Sequence, residues 1–195
     1  YTSKRDSDAR RSCQTTLYFI LEAMVRWISP ILSFTAEEAW HLHRPSSPSV
    51  HLLEWFDGWG DSQVRLDIKN EEWNKILEIR SGVNRVLEAS RNNEVIGSAL
   101  EAEIELFCSP EIKNILSKFA NELRFMFITS EAQVFDFKEK GELTDIEGLR
   151  VVVRKTNENK CVRCWHSRDE VGQIDEHPSL CRRCIKNIEG EGEVR

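Results

Sequence analysis

The sequence predicts a mainly helical protein that ends in a metal-bound finger, and three observations support this. Apolar residues recur at three- and four-residue spacing in long stretches up to Asn92, the period of amphipathic helices. The period changes at Leu100 to Phe107, where apolar and charged residues alternate as in a half-buried strand. The last thirty-six residues, Lys160 to Arg195, hold two Cys-x-x-Cys pairs about sixteen residues apart, the spacing of tetrahedral zinc sites. The expected architecture is an antiparallel helical bundle over residues 1–93, a small α/β unit over 94–156 and a four-cysteine, zinc-ribbon-like finger over 157–195.

The first helix is expected from Asp6, with Leu17, Ile20, Leu21, Met24, Val25 and Ile28 as its buried stripe and Glu22 and Arg26 on the other side. Pro30 should end it and bias Ser29 toward an extended conformation. Thr35 and Glu38 have the spacing of a capping box, followed by Ala36, Ala39, Trp40 and Leu42 as the apolar face of a second helix. His41 and His43 near its end suit the negative pole of the helix dipole. Pro45, Pro48 and three serines mark a loop over Arg44 to Val50, and Trp55 to Gly60 continues it with aromatic residues that clamp it onto the helices. A long helix is expected over Asn70 to Asn92, with Trp73, Ile76, Leu77, Val83 and Leu87 inside. After the alternating strand, Ser109-Pro110 opens a short helix to about Asn121. Leu123 to Thr129, Ala132 to Phe137 and Leu149 to Arg154 read as three more strands, separated by the acidic loop Glu139 to Glu147.

In the finger, Cys161, Cys164, Cys181 and Cys184 supply four thiolates, which close a tetrahedral zinc and leave no position for catalysis. His166 and His177 lie in the same loop, but four thiolates already complete the site. Arg163, Trp165, Arg182, Arg183 and Lys186 stand at its lip. Arginines there suit phosphates and a tryptophan suits an unpaired base; alternatively the ring packs under the metal and the arginines are solvated. None of the five histidines sits in a nucleophile and base arrangement, and no Gly-rich phosphate loop occurs.

The net charge is −6, which argues against a protein that simply coats nucleic acid. The charge is uneven, however: from Arg150 onward ten basic residues stand against eight acidic, while before it seventeen stand against twenty-five. Thiols in knuckles, with Cys13 and Cys108 isolated, suit a reducing compartment, and the apolar runs are too short to span a bilayer. A cytoplasmic monomer without a membrane role is expected. A chain beginning at Tyr1 is expected to be a fragment of a longer protein.

Specific residues also carry a resemblance. Cys161-Val-Arg-Cys-Trp-His166, Val171-Gly172, His177-Pro178, Leu180-Cys181 with Arg183-Cys184, and Gly190-x-Gly192-Glu193 resemble the C-terminal zinc-binding segment of bacterial-type isoleucyl-tRNA synthetases. Arg26-Trp27, Pro30 to Glu38 and Ile96-Gly97-Ser98-x-Leu100-Glu101-Ala102 resemble that family's helical anticodon-binding domain and the junction after it. The resemblance implies a class I synthetase type of anticodon-binding bundle, one structural Zn2+, and contact with tRNA(Ile) through Arg163, Trp165, Arg182, Arg183 and Lys186. It further implies a catalytic domain in the same parent polypeptide, where ATP would bind. The signatures of that domain are absent here, so no catalytic residue is assigned. The alternative is the similar finger of formamidopyrimidine-DNA glycosylases, whose N-terminal proline nucleophile and helix-turn-helix are not found in this chain.

Overall fold

A computed structural model describes residues 2–58, 69–119 and 122–193. They cluster into two units, one of residues 3–58 with 191–193, the other of residue 2 with 69–119 and 122–190.

The first unit is built on α1 (Asp8–Ile28) and α2 (Ser33–His43), followed by a 3-10 turn at Val50–Leu52. Ser7 caps α1 by accepting from the Arg10 amide at 3.3 Å. The helix stops two residues before Pro30 as expected, although Ser29 keeps helical dihedrals. The start of α2 differs from expectation: it begins at Ser33, two residues before Thr35, with no side-chain cap. Glu37 instead accepts from the Val50 amide and the Ser49 hydroxyl, both at 2.9 Å, and so ties the loop to the helix. Trp40 donates from Nε1 to the Pro48 carbonyl at 2.9 Å. Together with Val25, Ala36 and Val50 it makes a small core.

The buried face of α1 keeps only Val25 and the half-buried Ile28 of the expected stripe. Leu17, Ile20, Leu21 and Met24 are exposed, and Glu22, Ala23 and Val25 are buried. The reason is ionic. Glu22, only 3% exposed, accepts from Arg26 Nη2 at 2.9 Å and Arg44 Nε at 2.9 Å, and its Oε1 lies 2.8 Å from His43 Nε2. His43 therefore faces a carboxylate on α1, while His41 pairs with Glu37 at 3.0 Å.

The second unit holds a four-stranded sheet of order β2-β1-β4-β3, with β1 (Ala102–Cys108), β2 (Glu131–Asp136), β3 (Glu142–Leu143) and β4 (Leu149–Lys155). β1 is parallel to β2 and antiparallel to β4. A parallel pair needs a crossover, and α4 (Pro110–Ser117) and α5 (Leu123–Phe127) provide it. α3 (Asn70–Asn92) has the expected bounds, but its inner face differs: Ile76, Ile79, Val83, Val86 and Leu87 are buried, while Trp73 and Leu77 are exposed. Ile79, Val83, Val86 and Leu87 join Ile104, Leu106, Val151, Leu116 and Phe127 in one core. The fold is thus mixed helix and sheet, with α3 packed into the core of the sheet unit.

Leu123 to Thr129 is a further correction. Its first five residues form α5, closed by Ile128 at φ 58°. α4 ends at Ser117, and the expected limit at Asn121, like Trp59 and Gly60, lies outside the described residues. The chain reverses before β4 at Gly148, φ 78°, where a Cβ would come within 2.8 Å of Ser109 Cβ; glycine meets both demands at little cost.

The two thiols outside the finger differ sharply. Cys13 is exposed, whereas burial pushes the Cys108 thiol up to about 12. A group raised in this way stays protonated and unreactive at neutral pH. In the native zinc-loaded chain, a thiol reagent at pH 8 should therefore label Cys13 and spare Cys108, as peptide mass spectrometry would show.

Candidate metal centre and nucleic-acid interface

The finger is assembled from two knuckles and a short helix. In the first knuckle the Trp165 amide donates to the Cys161 carbonyl at 2.9 Å, and the Cys161 amide to the His166 carbonyl at 3.0 Å. These bonds close a tight turn around Cys164, and Trp165 is left at φ 68°, a conformation that is uncommon for a bulky residue. The second knuckle leads into α6 (Arg182–Ile188), with Cys181 at its N-cap and Cys184 in its first turn. The four sulfurs, from Cys161, Cys164, Cys181 and Cys184, all lie within 4.8 Å of one another, and the Cys164 and Cys181 sulfurs are 3.7 Å apart.

A zinc with bonds of about 2.3 Å holds its sulfurs about 3.8 Å apart, so the four cysteines fit one structural Zn2+. The Cys181 amide supports them by reaching the Cys161 sulfur at 3.4 Å. Hydrogen bonds from the Cys164 and Cys181 thiols, and then from Arg163, hold the Cys184 thiol down to about 3. Hydrogen bonds with Cys181 and Cys184 raise the Cys164 thiol in turn, so the thiols share protons that a bound metal must displace.

Neither histidine of the loop belongs to the cluster. His166 is buried, with Nδ1 3.2 Å from the Cys164 carbonyl, and its ring meets Phe125 edge-on at 5.3 Å. Burial, and then the nearby Arg124, favour its neutral form. His177 pairs with Glu189 at 2.8 Å.

Trp165 does not pack under the metal. It is 58% exposed, donates from Nε1 to the Val162 carbonyl at 3.2 Å, and has Lys160 Nζ 5.1 Å from its ring centroid. Arg182 and Lys186 are exposed as well, whereas Arg163 and Arg183 are half-buried. These last two donate to the carbonyl and hydroxyl of Thr2, at 2.7 and 2.9 Å, and Thr2 clusters with this unit. The lip is thus divided: Trp165, Arg182 and Lys186 face outward, and Arg163 and Arg183 face protein.

The finger docks on the start of β2. The Ser167 amide donates to the Ser130 hydroxyl at 2.6 Å, and Arg168 to Glu131 at 2.6 Å. Arg124, Phe125 and Arg168 join the surroundings of the cluster, and no sequence motif singles them out. The adjacent cation and ring at Arg124-Phe125 were the available signal, hidden by reading that segment as a strand.

Comparison with known proteins adds to this geometry. A family model described as the anticodon-binding domain of tRNA ligase matches residues 1–106, and one described as a zinc finger found in FPG and IleRS matches residues 158–187. Curated isoleucine–tRNA ligases from Shewanella amazonensis, Shewanella baltica and Alkalilimnicola ehrlichii are 44%, 45% and 46% identical to the chain over its whole length. The chain spans 21% to 22% of the length of these relatives.

Proposed function

Since the chain belongs to the family of anticodon-binding domains of tRNA ligases, we propose that it is the part of an isoleucine–tRNA ligase that holds the anticodon end of tRNA(Ile). The observation that carries the reading is the joining, in one chain, of that domain to a closed metal finger whose outward face is Trp165, Arg182 and Lys186. The ring is available to stack on an unpaired base and the two cations to meet phosphates. Arg163 and Arg183, half-buried, contribute less directly.

In this reading residues 1–93 act as the anticodon-binding part, 94–156 as a junction and 157–195 as the finger. The parent polypeptide, a cytoplasmic monomer, uses ATP to attach isoleucine on a domain outside this chain. The contribution made here is positional: fixing one end of the tRNA brings the other to the reacting groups. No described helix is long and apolar enough to cross a membrane. A DNA-repair finger is disfavoured, because the matches spanning the whole chain are isoleucine–tRNA ligases.

Phosphate contacts release counterions, so each one lost flattens the salt dependence of binding, by about 0.7 in the logarithmic slope for single-stranded RNA. Arg182→Ala with Lys186→Ala should weaken tRNA binding at low salt and flatten that slope. A fluorescence titration over a range of salt concentrations checks this, and an unchanged slope would remove both residues from the interface.

A further inference from the structure

Four arginines gather at the cysteine cluster, and they are not equivalent. Arg124 of α5, Arg168 and Arg183 line one small cavity of about 160 Å³ together with Cys164 and Cys181. Arg168 is balanced by carboxylates, Glu131 at 2.6 Å and Glu170 at 3.6 Å. Among the described residues Arg124 forms no carboxylate ion pair, and its buried Nε–H meets no acceptor. Its guanidinium carbon lies 4.9 Å from the Phe125 ring centroid, and that of Arg183 lies 4.8 Å from the same ring. Arg163 stands beside Cys164 in the first knuckle and donates to the Thr2 carbonyl at 2.7 Å.

Gathering cations around one ring in a half-buried place is unfavourable by itself. Burial, then Arg168, and later Arg183 all act against the charge on Arg124, while Glu131 and Cys181 favour it. A divalent metal in four thiolates changes this balance, since it leaves excess negative charge at the centre. Groups just outside the ligands commonly orient them and tune the metal.

We propose that Arg124 and Arg183 form the charge-balancing outer shell of the zinc centre, strengthening metal binding and making the docking of α5 on the finger depend on the metal. The inference rests on the four-thiolate zinc and is independent of tRNA binding. A phosphate is a poorer occupant of the cavity, because two of the thiols form its wall and their metal-bound charge repels an anion. The shell also accounts for Arg183 facing inward while Arg182 and Lys186 do not.

The test uses the 195-residue chain and separates charge from packing. Arg124→Met keeps the apolar stem and removes the charge; Arg124→Lys keeps the charge. Competition for Zn2+ with a chromophoric chelator should show affinity reduced about 10- to 100-fold in Arg124→Met, largely restored in Arg124→Lys, and unchanged in Arg85→Met, a control at an exposed position of α3. With Co2+ in place of Zn2+, bands of unaltered shape in Arg124→Met will show that the four-thiolate geometry survives, so that lost affinity is not mistaken for lost fold. Zinc affinity unchanged in Arg124→Met, or equally weak in the Met and Lys variants, would overturn the proposal. So would intact zinc affinity with weakened tRNA binding, which would make the cavity a nucleic-acid contact. Metal analysis of the unaltered chain separates these failures from failure of the zinc reading itself, which an absence of zinc would show.

Discussion

Removing zinc with a strong chelator, or replacing Cys184 with Ser, should unfold the finger while the α3 and sheet core stays folded. Structural zinc contributes on the order of 10 kcal/mol in small fingers, and little else in the finger is available to substitute for it. Its core is Cys161, Val171, Cys181 and Cys184, so Val171 is the one fully buried member that is not a ligand. α6 has seven residues, too few for a helix to persist without tertiary support. Hydrogen exchange read by mass spectrometry should show protection lost across residues 157–190 and retained in β1 and β4. Protection retained in the metal-free finger would contradict the structural role of the metal.

The second large effect is expected at Glu22. Replacing it with Ala removes the shared partner of Arg26, His43 and Arg44 and leaves two guanidinium cations beside the core of Val25, Ala36, Trp40 and Val50. Breaking a buried ionic group by deleting one member costs about 3–5 kcal/mol, and the exposed part of Arg44 places this case toward the lower end. Urea unfolding followed by the helical signal should show an early transition from the first unit in Glu22→Ala. Glu22→Gln keeps acceptor capacity and should lose less. Equal midpoints for all three chains would mean that the ionic cluster contributes little.

Legibility in the sequence followed the strength and range of each signal. The knuckles are legible because metal geometry constrains their spacing directly, and the structure brings those four sulfurs together. α3 is legible in its bounds because twenty-three residues carry many turns of one period. What it packs against is not, since an amphipathic face fits a helix or a sheet equally well. The face of α1 is misread for a similar reason: apolar spacing ranks Leu17 and Met24 above Glu22, and only contacts distant in sequence, from His43 and Arg44, make burial of a carboxylate tolerable. α5 escapes because five residues show no helical period, its composition of Leu, Phe, Met and Phe favours a strand, and its left-handed end falls on Ile128, where glycine or asparagine is the usual marker. With α5 misread, Arg124 and Phe125 had no visible connection to the metal.

The exposure of Trp165 bears most directly on function. Its φ of 68° is well suited to glycine, so Trp165→Gly removes the ring while relieving the backbone, and lost binding reports on the ring. The decisive measurement is an equilibrium titration of the zinc-loaded chain, unaltered and as Trp165→Gly, with the isoleucine tRNA and a second tRNA of different anticodon. The expected result is tighter binding of the isoleucine tRNA, weakened in Trp165→Gly by about 5- to 150-fold, corresponding to the loss of one stacked base at about 1–3 kcal/mol. Equal affinity for both tRNAs, unaffected by loss of the ring, would contradict it.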